Sequence, residues 1–221
     1  MTPAKLQIDA VVFDMDGTLL DTELVFKEIV FEVADLMGFE MTEALQLSMI
    51  GTSHEATNAL LMEAYGSAFP YAVFDDHCRT SMKKRMEMAV PVKAGALEIL
   101  RELRDRRIPM AVATSSRAAH AHSHLGHAGL IEHFDTIVTR DDVHNPKPHP
   151  EPYLLAAKRL GIEPMHCLAL EDSHAGVRAA HAAGMHTVMV PDLLQPTDEV
   201  TALCRAVMID LHQVRERYFS A

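Results

Sequence analysis

From residue 90 onward, apolar runs of four to six residues alternate with stretches whose apolar positions recur at helical spacing. No other feature constrains the chain as strongly. Parallel strands need long crossovers, and strands covered on both faces read as unbroken apolar runs. MAVAT, FDTIVT, CLAL, HTVMVP and RAVMI supply such runs. Between them, residues 94–106 place Leu97, Leu100 and Leu103 on one face with Arg and Glu opposite, and residues 117–128, 151–160 and 175–183 also read as helices. Gly161 and Gly184 stand where helix ends are expected. A doubly wound α/β unit with a parallel sheet is therefore predicted.

One segment breaks the rhythm. A first strand is predicted over residues 8–13, but residues 22–89 hold helical patterns and no convincing strand. Phe26, Ile29, Val33 and Leu36 mark one helix, Leu60, Leu61 and Ala64 a second, and residues 75–88 a third. The expected organisation is a core of residues 1–21 and 90–221 with an inserted all-α domain, 22–89. A chain of 221 residues accommodates this as one domain with an insertion.

Open parallel sheets bind ligands outside the carboxyl ends of their strands. The polar residues placed there are Asp14 and Asp16 after the first strand, Thr114 and Ser115 after MAVA, Lys147 in a loop, and Glu171 and Asp172 after CLAL. In VVFDMDG, two acids one residue apart end a buried strand, which is costly unless a cation or a chemical task compensates. Magnesium, a hard cation that prefers oxygen ligands, fits that need, and the expected cofactor is Mg²⁺. With Asp14, Asp16, Glu171 and Asp172 as candidate ligands, the rim reads as a phosphoryl-transfer site. Asp14 would be the nucleophile, Asp16 the acid and then the base, Lys147 a fixed point charge. Thr114 and the turn after it would bind phosphoryl oxygens at the start of a helix; Ser115, Ser116 and Gly17 are counted with them.

FDMDGTLLD, VATSS, NPKPHPEPY and ALEDSHAGV stand in the order of the four motifs of the haloacid dehalogenase superfamily, which the chain resembles over about 150 residues of core. The resemblance implies a Rossmann-like core, Mg²⁺ dependence, an aspartyl-phosphate intermediate and a mobile helical cap formed by residues 22–89. Within the superfamily the chain looks most like the β-phosphoglucomutase and small-molecule phosphatase group. The expected activity is a phosphomonoesterase acting on a sugar phosphate or nucleoside monophosphate. Mutases of this group carry a cap histidine where this chain has Phe26, and an arginine where it has His54. Both differences favour a phosphatase over a mutase. A non-catalytic phosphate or Mg²⁺ sensor is a third reading, disfavoured because a sensor has no use for Asp16. The expected substrate contacts are Glu23, just after the crossover from the first strand into the insertion, and His54, in the loop of residues 51–55.

Other patterns carry less. Gly17 falls too early for a calcium loop, HEATN lacks the second histidine of a zinc protease, and no nucleotide-cradling glycine loop is present. His120, His124 and His127 share a helix face, but without matching acids a solvated face is expected. A net charge of −11 argues against a nucleic-acid partner. No apolar run reaches a membrane span, and MTPAKLQIDAVVFDMDG is not a secretory signal. Three scattered cysteines suit a reducing cytoplasm. The expected partner is a small phosphate ester, and the expected state a monomer or weak dimer.

Overall fold

The structure, a computed structural model, describes residues 7–50, 52 and 54–220. Strand β1 spans Ala10–Phe13, and helices α1 (Thr22–Leu36), α2 (Glu43–Met49), α3 (His54–Tyr65) and α4 (Tyr71–Met88) follow. Next come α5 (Ala96–Asp105), β2 (Met110–Ala113), α6 (Ala118–His127), β3 (Thr136–Val138) and α7 (Glu151–Leu160). The chain continues through β4 (Cys167–Glu171), α8 (His174–Ala182) and β5 (His186–Met189). It closes with α9 (Asp198–Leu203), β6 (Ala206–Val207) and α10 (Leu211–Phe219). Two compact units result, residues 1–21 with 90–221, and residues 22–89.

In the first unit all six strands are parallel, in the order β3-β2-β1-β4-β5-β6. This is a Rossmann-like α/β arrangement. All four residues of β1 are buried, because each face of the central strands meets side chains. On one face Ala10, Val12, Ala111, Ala113 and Ala169 pack with Tyr153, Ala156 and Ala157 of α7 and Ala179 and Ala180 of α8. Small residues on the strands let those helices approach closely. The order reverses between β1 and β4, the switch point where such sheets leave a crevice.

The second unit is all helical. Helix α1 packs on α4, and α3 on both α2 and α4. Phe39, Tyr65, Phe69 and Phe74 form an aromatic group within it, with contacting ring centroids 4.9–5.6 Å apart, Phe69 and Phe74 being buried. Arg85 of α4 pairs with Glu28 and Glu32 of α1. The apolar stripe expected for α1 needs correction. Ile29 and Val33 are buried, but Phe26 and Leu36 are exposed, and Val25, Val30 and Ala34 complete the inner face. The seven-residue α2 has no apolar periodicity long enough to read. Its start is set by Thr42, whose side chain accepts from the Leu45 N–H.

Candidate active site

The site grows out of the crevice between β1 and β4. Asp14 directly follows β1, and its N–H donates to the Leu170 carbonyl at 2.9 Å, locking its backbone beside β4. Glu171 is the last residue of β4 and is fully buried. Lys147 arrives from the loop before α7 with 4% of its side chain exposed, and its ammonium donates to Asp14 Oδ1 at 2.6 Å and to Glu171 Oε1. Burial works against the lysine's charge, yet Asp14 and Glu171 together hold it above its ordinary range. Lys147 is thus a fixed cation.

Glu171 is the hub that keeps it there. Its Oε1 also accepts from the Tyr153 hydroxyl at 2.6 Å, and its Oε2 accepts from the Ser173 N–H at 3.1 Å and hydroxyl at 2.9 Å. Burial, with the charge of Glu171, keeps Tyr153 protonated and therefore a donor. Gly176 opens α8 close to this carboxylate; a Cβ there would lie 1.7 Å from Glu171 Oε1. Sequence reasoning missed Tyr153 and Ser173. A tyrosine on the apolar face of α7 needs a buried hydrogen-bond partner, and that signal was available. Tyr153→Phe should cost about 1.5–3 kcal/mol, the range for a hydrogen bond to a charged group, measured by denaturant unfolding.

Asp14, Glu171 and Asp172 offer ligand atoms within 4.8 Å of one another, the one such group among the described residues. Burial pushes Asp14 up to about 8, Lys147 opposing and Glu171 and Asp16 adding. Burial, then the charges of Asp14 and Glu171, pushes Asp172 up to about 9. Three carboxylates face one ammonium, so the donor set suits a divalent cation. Asp14 and Asp172 fit it best, since four hydrogen bonds already occupy both oxygens of Glu171.

Asp16 sits at the same rim, where the Ser116 hydroxyl donates to its Oδ2 at 2.7 Å. Thr114, buried after β2, accepts the Ser116 N–H on its own hydroxyl at 3.0 Å. Ser116 is thereby placed to orient Asp16, while Ser115 is exposed. At the start of α6 the Ala118 N–H donates to Asp141 Oδ2 at 2.9 Å, so an acid from beyond β3 holds that donor. Gly17 adopts φ +85° and gives its N–H to the Leu20 carbonyl at 2.8 Å. A Cβ on it would lie 2.3 Å from Asp172 Oδ2. Its place in the site is clearance for Asp172 rather than donation.

Glu23 and His54 lie in the helical unit, and both line one cavity of about 290 Å³ there. Phe26, Val30, Met49, Ile50 and Phe74 give it apolar walls. Its polar lining includes Gln46, Thr52, Thr57, Tyr71 and Asp75. His54 is 72% exposed, with Nδ1 3.0 Å from the Tyr71 hydroxyl and 3.5 Å from Asp75. Burial, with Asp75 nearby, pushes the Cys78 thiol up to about 12, so this side chain stays an uncharged thiol. No Lys or Arg is among its described lining residues. Of the loop expected to set specificity, Gly51 and Ser53 lie outside the described residues.

Among the described residues, the histidine face of α6 belongs to no group of three or more ligand side chains that could hold a metal ion. The rings of His120 and His124 stack at 6.1 Å, and burial lowers the pKa of His124. No described helix is long and apolar enough to cross a membrane.

Comparison with known proteins bears on this geometry. A family described as haloacid dehalogenase-like hydrolase matches residues 11–190. A phosphorylated carbohydrates phosphatase of Thermotoga maritima is 34% identical over 82% of this chain and 84% of its own length. A fructose-1-phosphate phosphatase of Escherichia coli is 32% identical over 81% of this chain and 94% of its own. Among solved structures, a HAD family hydrolase of Deinococcus radiodurans with bound phosphate and sodium superimposes with a TM-score of 0.85. It is 29% identical, and the match covers 96% of this chain and 95% of that one.

Proposed function

The chain belongs to the haloacid dehalogenase-like hydrolase family and is a phosphatase of that family, and on that premise we propose that it hydrolyses a small phosphorylated metabolite, a sugar phosphate or nucleoside monophosphate, through an aspartyl-phosphate. One observation carries the reading. Lys147 bridges Asp14 and Glu171, with Asp172 in ligand reach of both acids, so three segments distant in sequence meet around one carboxylate.

In this reading an Asp14 oxygen attacks phosphorus while the ester P–O bond breaks, and the departing oxygen takes a proton from Asp16. Asp16, oriented by Ser116, then removes a proton from water. That water attacks phosphorus, the bond to Asp14 breaks, and inorganic phosphate leaves. Lys147 keeps Asp14 turned toward the reaction and offsets charge on the phosphoryl group. Thr114 and Ser115 contribute to the phosphate end. Asp14 and Asp172 would hold Mg²⁺, which when bound supplies charge neutralisation between an attacking carboxylate and an anionic phosphate.

Residues 22–89 are the cap in this proposal, and Glu23 and His54 read the alcohol part of the substrate. The cavity's two carboxylates, Glu23 and Asp75, and its lack of Lys or Arg among the described lining residues, support an uncharged leaving group. A mutase must also hold a second phosphate, which an acidic lining opposes. The Thermotoga maritima and Escherichia coli relatives are both named phosphatases. A screen of phosphorylated metabolites with Mg²⁺, reading phosphate release, tests the function. Fructose 1-phosphate should exceed fructose 1,6-bisphosphate in kcat/KM by about tenfold or more, since like charges across a pocket disfavour binding. Equal efficiency on both would remove the specificity reading, and conversion of β-glucose 1-phosphate to glucose 6-phosphate would restore the mutase.

A further inference from the structure

Among the described residues, one carboxylate oxygen is buried without a hydrogen-bond donor, Asp192 Oδ2. Asp192 stands three residues past the end of β5, in the VMVPD segment, so it comes to the same sheet edge as Asp14 and Asp172. Its side chain is 12% exposed. The other oxygen, Oδ1, accepts from the Lys93 ammonium at 2.8 Å, and that ammonium also lies 3.4 Å from Asp21 Oδ1. Both backbone neighbours of this contact are fixed: the Lys93 N–H donates to the Leu19 carbonyl and the Asp21 N–H to the Pro91 carbonyl, each at 2.9 Å.

With Oδ1 anchored, Oδ2 is turned toward Gly17. A Cβ on Gly17 would lie 3.4 Å from Asp192 Oδ2 and 2.3 Å from Asp172 Oδ2, so both carboxylates approach the same side of this glycine. The charge of Asp192 is also among the influences that raise Asp172. A buried carboxylate oxygen without a donor is costly unless a ligand brings one. Magnesium retains several of its waters when protein carboxylates bind it, and those waters are donors.

We propose that Asp192 is a positioning residue of the cation site, its Oδ2 accepting a hydrogen bond from water carried by the cation that Asp14 and Asp172 hold, with Lys93 fixing its orientation. This rests on the cation reading given above, and goes beyond it by adding a fifth segment of the sheet edge. The sequence offered one signal, an acid following the fifth apolar run, as acids follow the first and fourth.

The test is cation binding itself, by calorimetry with Mg²⁺ and with Ca²⁺, on the wild-type protein, Asp172→Asn and Asp192→Asn, each checked for folding by its metal-free melting curve. In Asp192→Asn the amide oxygen stays on Lys93 and turns an NH₂ donor to where an acceptor stood. Mg²⁺ affinity should fall about 10–100-fold, the usual effect of losing an outer partner. Ca²⁺, which sheds water more readily, should lose less. Unchanged Mg²⁺ affinity, or equal loss for both ions, overturns the role of Asp192 while Asp172→Asn still abolishes binding and leaves the cation reading standing. Absence of binding to the wild-type protein overturns both. Asp192→Ser, read the same way, decides the matter if the asparagine variant does not fold.

Discussion

Replacing Asp14 with Asn lowers kcat by about 10⁴-fold or more, the scale of loss when a covalent nucleophile is removed. Asn keeps the shape and the backbone bond to Leu170, so the melting curve should still show one cooperative transition. The amide can accept from Lys147 through its oxygen, but it cannot form an acyl phosphate with a small phosphate ester. Steady-state phosphate release measures the effect. A residual rate within tenfold of wild type would mean that another group attacks phosphorus. The substitution also separates chemistry from binding: with Asp172 intact, the variant should still take up inorganic phosphate or a substrate ester, measured by calorimetry.

Lys147→Met has the second largest expected effect, and it is on stability as well as rate. The ammonium is the cation bonded to Glu171, which is fully buried, and to Asp14. Removing one partner of a buried ion pair leaves the other charge uncompensated and costs about 3–5 kcal/mol. For a chain of this size each kcal/mol moves the melting temperature by roughly 2–4 °C, so a fall on the order of 10 °C is expected in the metal-free protein. Tyr153 and Ser173 still donate to Glu171, which is why the cost stays finite. A change of less than about 1 kcal/mol would show that Lys147 is not the counter-charge of this pocket. Chelation belongs with these two: EDTA should stop phosphate release, and added Mg²⁺ should restore it and raise the melting temperature.

The sheet was legible because its strands are buried on both faces. MAVA, TIV, CLAL and HTVM are apolar runs that no other structure of this size would need, and each forms a parallel strand. The acids at the rim were legible for the same reason, since a charge directly after a buried strand must point out of its end. Less visible was what depends on distance across the fold. Glu171 reads as a ligand beside Asp172, yet its oxygens are taken by Lys147, Tyr153 and Ser173, contacts that join α7, α8 and a loop. The first N–H of α6 is held by Asp141, which comes from beyond β3, a pairing that sequence spacing does not reveal. In the helical unit Phe26 and Leu36 fit a periodic stripe but are exposed. Helix periodicity gives a face, and only packing decides how wide its buried part is.

The central claim is that Asp14 carries the phosphoryl group covalently. Protein mixed with a rapidly hydrolysed ester and Mg²⁺, quenched in acid during turnover and reduced with borohydride, should contain homoserine at position 14, read by peptide mass spectrometry. Borohydride reduces an acyl phosphate and leaves a free carboxylate untouched. Aspartate unchanged at position 14 in every quenched sample, or homoserine at Asp16 or Asp172 instead, would contradict the account.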